Sequence, residues 1–100
     1  MGQKDPLVRK SVLRWTSLEV AKWVGSLGDW AQGYDKRFET AGIDGNVLLS
    51  LSEYDLERPP LSIDVTYHRR VLVKEIETLR ILGVKPPTDL WEYKVWHLTP

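Results

Sequence analysis

Apolar residues recur at helical spacing along this chain, in runs too short to stand alone, and Gly or paired Pro stops most of them. Val20, Trp23, Val24 and Leu27 fall at i, i+3, i+4 and i+7, which predicts a first helix closed by Gly28. Thr16-Ser17-Leu18-Glu19 just before it is a capping-box pattern. Trp30, Tyr34, Phe38 and Ala41 predict a second helix stopped by Gly42. Asp44 is placed to cap a third helix of little more than one turn through Val47, Leu48 and Leu51. Ser52 is placed to cap a fourth over Glu53 to Leu56, ended by Pro59-Pro60. His68, Leu72, Ile76 and Leu79 predict a last and longest helix, capped by Asp64 and closed by Gly83, with Pro86-Pro87 beyond. Helices this short are marginal alone, so they must bury their apolar faces on each other. With no strand pattern and no internal repeat, the expectation is a compact all-α bundle of five helices.

Composition narrows the function classes. Apolar residues make up 42% of the 100-residue chain, enough for one modest core. The chain carries 14 basic and 14 acidic side chains, a formal net charge of zero, which argues against a protein that coats nucleic acid. No cysteine is present, so disulfides, thiolate metal sites and thiol catalysis are excluded, and a reducing, cytoplasmic setting is expected. Two histidines, His68 and His97, do not make a metal site. No apolar run approaches the roughly 20 residues that cross a bilayer, and Met-Gly-Gln-Lys-Asp-Pro lacks the apolar stretch of a signal peptide. No Gly-x-Ser-x-Gly or phosphate loop occurs. Catalysis, cofactors, small-molecule substrates and metals are therefore not expected. His68 is read as a packing residue and Trp15 and Trp23 as core, with Trp30 flanking the second helix.

The order of these residues resembles the sterile alpha motif (SAM) domain. Trp15-Thr16 and Val20-Ala21-Lys22-Trp23-Val24 open the pattern, and Tyr34 and Phe38 continue it. Gly42-Ile43-Asp44-Gly45 with Leu48-Leu49 and Leu51, Glu53-Tyr54-Asp55-Leu56, and His68-Arg69 with Leu72, Ile76 and Leu79 complete it. The likeness covers residues 14–83. It leaves residues 1–13 as a flexible lead-in and 84–100 as a Pro- and Trp-rich tail, docked on the bundle or preceding a membrane. The joint Arg58-Pro59-Pro60-Leu61-Ser62-Ile63-Asp64 is longer than is usual in the family and carries Ser62 where Gly is common. The stretches Leu82 to Pro87 and Leu90 to Lys94 narrow the resemblance to membrane-anchored, apoptosis-regulating scaffolds. That context implies a cytosolic face of the endoplasmic reticulum in a longer parent, of which this chain is a fragment or short relative. A weaker likeness, on Leu51 to Leu56 and Pro59-Pro60-Leu61, is to SAM domains of lipid-metabolising membrane enzymes.

The resemblance implies a non-catalytic module that binds another SAM domain, a related helical adaptor domain, or itself. Charge distribution fits. Asp29 to Glu57 holds seven acids and two bases, while Val65 to Lys85 holds five bases and two acids. In the family an acidic mid-loop surface of one copy meets the start of the last helix of another. Here that pairs Asp44, Glu53, Asp55 and Glu57 with Arg69, Arg70 and Lys74. Such contacts are heterologous and can propagate. The same three cations are the candidates for an RNA-hairpin contact, which zero net charge makes the weaker reading. Trp91, Tyr93 and Trp96, with Lys85 and Lys94, form the candidate membrane or docking tail.

Overall fold

The computed structural model describes residues 10–86. Five α-helices follow in order among them: α1 (Ser17–Gly25), α2 (Tyr34–Thr40), α3 (Gly45–Leu48), α4 (Glu53–Glu57) and α5 (Thr66–Leu82). Single 3-10 turns at Val12–Arg14 and Asp29–Ala31 precede α1 and α2. No strand occurs among the described residues.

The local signals decide most helix starts. Thr16 accepts from the Glu19 amide at 3.2 Å, and Glu19 accepts from the Thr16 amide at 2.9 Å, closing the capping box of α1. Lys10 adds an ion pair to Glu19 at 2.8 Å. This pairing, with the Thr16 amide, holds the Glu19 carboxyl below its ordinary range. Asp44 caps α3 by accepting from the Val47 amide at 2.9 Å. Ser52 and Asp55 form a second capping box at α4.

Helix bounds differ from expectation, and α3 stops at Leu48, leaving Leu51 outside it. The first helix ends at Gly25, with Ser26 as its cap, rather than at Gly28. The second run is broken in two, because Gly33 takes φ +98°, a left-handed conformation that no helix accommodates. Trp30 therefore lies on a 3-10 turn, and α2 begins at Tyr34. Asp64 does not cap α5: Val65 occupies that place and supplies no side-chain bond.

Lys10 to Val12, read from the sequence as lead-in, join the packed body, while Leu13 stays exposed. Val12 is fully buried, its amide donates to the Gly83 carbonyl at 2.9 Å, and the Lys10 carbonyl accepts from the Trp15 indole at 3.1 Å. The segment thus ties the start of the body to the end of α5.

One core joins all five helices. Val20, Trp23 and Val24 of α1, Phe38 of α2, Leu48 of α3, Leu56 of α4, and Leu72, Ile76 and Leu79 of α5 are buried together with Trp15 and Ile63. Trp15 and Trp23 meet with ring centroids 6.3 Å apart. At its edge, half-buried His68 lies 5.0 Å from Trp30, and its Nδ1 is 2.7 Å from the Tyr34 hydroxyl.

Gly45 shows how tightly the front is packed. Its amide donates to the Trp15 carbonyl at 2.9 Å, and a Cβ there would stand 1.6 Å from the Val12 carbonyl oxygen. Backbone cannot yield as a flexible side chain does. Gly45→Ala is expected to cost about 3 kcal/mol of stability, read as a lower midpoint in urea unfolding; an unchanged midpoint would contradict this packing.

Candidate protein interface

The acidic face is built on the short helices α3 and α4. Its four predicted carboxylates do not have equal freedom. Asp44 spends one oxygen on its cap. Asp55 accepts from the Ser52 amide and hydroxyl, both at 2.9 Å, and these bonds hold its carboxyl below the ordinary range. Glu53 reaches Arg69, with 3.4 Å between Oε2 and Nε. Glu57 is exposed and makes no hydrogen bond or ion pair among the described residues. Capping carboxylates keep lone pairs and charge for a partner, since each oxygen has two acceptor positions. All four therefore contribute negative potential, but only Glu57 is unengaged.

The basic face differs more from expectation. Arg69 is not a surface cation: its side chain is 8% exposed. It donates to the Ile63 carbonyl at 2.8 Å and to the Thr66 hydroxyl at 3.2 Å. It is a clamp on the joint before α5. Arg70 and Lys74 are exposed and unpaired among the described residues. Tyr67, Arg70 and Lys74 fall at i, i+3 and i+7, so they form one stripe on the outer side of α5. Farther along, Arg80 pairs with Glu77 and donates to the Leu49 carbonyl. Lys85 is buried. Arg70 and Lys74, the exposed and unpaired cations of this half, thus lie along the first half of α5.

The structure adds apolar centres that charge counting missed. Tyr54 (63% exposed) and Val47 lie among the acids, while Tyr67 (71% exposed) and Val65 lie beside Arg70. Arg58 covers one side of Tyr54, its guanidinium 5.0 Å from the ring centroid and 2.7 Å from the hydroxyl. The signal was present: both tyrosines lie off the buried stripes of their helices. Trp91, Tyr93 and Trp96 lie outside the described residues, and so does most of the tail.

A family model for the SAM domain (sterile alpha motif) matches residues 12–80. The chain belongs to the SAM family. It is similar to the human protein named bifunctional apoptosis regulator, with 44% identity over 93 residues, 93% of this chain and 21% of that protein. The solved SAM domain of mouse bifunctional apoptosis regulator matches with a TM-score of 0.69 and 40% identity, covering 79% of this chain and 87% of that one. Mouse sphingomyelin synthase-related protein 1 is 35% identical over 81 residues, 81% of this chain and 16% of that protein. The SAM domain described here thus spans about a fifth, or less, of these curated relatives.

SAM domains are generally non-catalytic protein–protein interaction modules, which directs attention to the two faces rather than to a cleft. No group of three or more His, Asp or Glu among the described residues is arranged to hold a metal ion. No helix of the described residues is long and apolar enough to cross a membrane.

Arg69 and Arg70 separate clamp from contact residue. Arg69→Ala opens the joint and leaves the Ile63 carbonyl unpaired, and is expected to cost about 2–3 kcal/mol. Arg70→Ala is expected to stay within about 0.5 kcal/mol of the unaltered chain. Chemical denaturation of the two variants checks this, and equal losses would refute the distinction.

Proposed function

We propose that this SAM domain is an assembly module without catalysis of its own, which joins a second copy of itself or another SAM domain head to tail. The acidic face (Val47, Tyr54 and Glu57, with the outward charge of Asp44 and Asp55) would meet the basic face (Val65, Tyr67, Arg70 and Lys74). The observation that carries this reading is the pairing of opposite charge with an exposed tyrosine on each face. Tyrosine is favoured at binding hot spots because it brings large area with little rotamer freedom to lose. The surrounding charges steer encounter and fix orientation, and salt weakens them. Burial of Arg69 removes one of the three cations that a phosphate-binding surface would use, which favours a protein partner over RNA.

The similarity to bifunctional apoptosis regulator supports placing the module in apoptosis regulation. A cytosolic position, on a membrane-anchored scaffold of the endoplasmic reticulum, belongs to the same proposal. It rests on the resemblance and on the absence of cysteine.

Sedimentation velocity across a wide concentration range tests the contact. Reversing Asp44, Glu53 or Asp55 would disturb caps or the Arg69 clamp, so Val47→Lys is the cleaner probe of the acidic face. Lys74→Glu probes the basic face. The unaltered chain should grow in size with concentration, and less so at high salt. Each variant alone should stay monomeric, and their mixture should form one-to-one pairs. A monomer under every condition would overturn self-association and leave a foreign SAM domain as the partner to seek.

A further inference from the structure

The two faces touch inside one molecule. Glu53, at the first turn of α4, belongs to the acidic face, and its side chain is 48% exposed. Arg69, in the first turn of α5, lies under the basic face with its side chain 8% exposed. Among the described residues, Glu53 is the carboxylate that pairs with this guanidinium, at 3.4 Å. The other two bonds of Arg69, to the Ile63 carbonyl at 2.8 Å and the Thr66 hydroxyl at 3.2 Å, hold the chain where α5 begins. Tyr67 and Arg70 extend from that same turn.

Arginine stays charged at any relevant pH, so the buried guanidinium cannot shed its charge when a counter-ion leaves. Removing a carboxylate from a largely buried cation exposes the desolvation cost that the pair had offset. Glu53 meanwhile is open enough to turn outward. A partner's cation docked on the acidic face competes with Arg69 for it, and the two demands cannot both be met by one monodentate contact.

We propose that the Glu53–Arg69 pair couples the two faces negatively. A partner on the acidic face draws Glu53 outward, loosens the start of α5 and weakens the basic face of the same molecule. Linkage makes the effect reciprocal: a partner seated on the basic face holds Glu53 inward and weakens the acidic face. The outcome is a module that favours pairs over long chains. This inference rests on the head-to-tail reading. A half-exposed, long ion pair sets a modest scale, about two- to fivefold in affinity.

Mixed Val47→Lys and Lys74→Glu chains form one interface whose outer faces stay empty, and titration calorimetry gives its affinity. Sedimentation of the unaltered chain gives the affinity per interface when both faces of a molecule are filled. The expected elongation affinity is about two- to fivefold weaker than that of the mixed pair. Glu53→Gln, introduced into both backgrounds, should bring the two values together. Equal values without Glu53→Gln, or a gap that Glu53→Gln leaves intact, would overturn the coupling while the docking stands. Absence of binding in the mixed pair would instead overturn the docking, and the coupling with it. Hydrogen exchange provides a readout that needs no Glu53 variant. The Ile63 and Arg69 amides of the Lys74→Glu chain should exchange faster when its acidic face is occupied, and unchanged or slower exchange would contradict the inference.

Discussion

Arg69 reaches from the first turn of α5 to the Ile63 carbonyl, while Arg37, at the midpoint of α2, donates to the Leu61 and Ser62 carbonyls at 3.0 Å each. Three consecutive carbonyls of the joint are therefore held by two guanidinium groups. The joint needs such ties. Pro59 and Pro60 supply no amide donors, and Ser62 sits at φ +48°, a left-handed conformation that costs a residue with a Cβ about 1 kcal/mol. Hydrogen bonds to charged groups are the strong kind, and these are numerous enough to hold that geometry. The direction of α5 follows from them, and so does the position of everything α5 presents.

Many of the charges serve the fold rather than the surface. Arg37, Arg69 and Arg80 spend their donors on carbonyl oxygens within the domain, and Asp44, Asp55 and Glu19 spend acceptors on helix caps. Of the charges that the two faces present, Glu57 on one and Arg70 and Lys74 on the other are left without an intramolecular partner among the described residues. Affinity then rests on the tyrosines and their apolar neighbours, and the free charges choose partner and register.

Features set by nearest neighbours were legible in the sequence. The caps at Thr16, Asp44 and Ser52 need only three residues each, and the helical stripes of α1 and α5 need only their own period. Phe38, Leu48, Leu56 and the two core tryptophans followed from the same spacing. Features set across the fold were not legible. Asp64 has the right chemistry for a cap, yet the start of α5 is governed by Arg69 and the joint. Arg69 itself reads as a surface cation beside Arg70. Its spacing from Leu72, Ile76 and Leu79 places it on the buried stripe, and that was the available signal. Glu53 reads as one more surface acid, and its pairing across α4 and α5 depends on how the joint folds. The SAM resemblance carried the topology through these gaps; it did not distinguish structural charges from free ones.

Free charge and exposed tyrosine, rather than total charge, define the proposed contact. Amide resonances followed by NMR on serial dilution test this most directly. Concentration-dependent shifts are expected at Val47, Tyr54, Glu57, Val65, Tyr67, Arg70 and Lys74, with the Arg69 side-chain Nε–H protected from solvent throughout. Shifts confined to other surfaces, or an Arg69 Nε–H that exchanges freely with solvent in the dilute monomer, would contradict it.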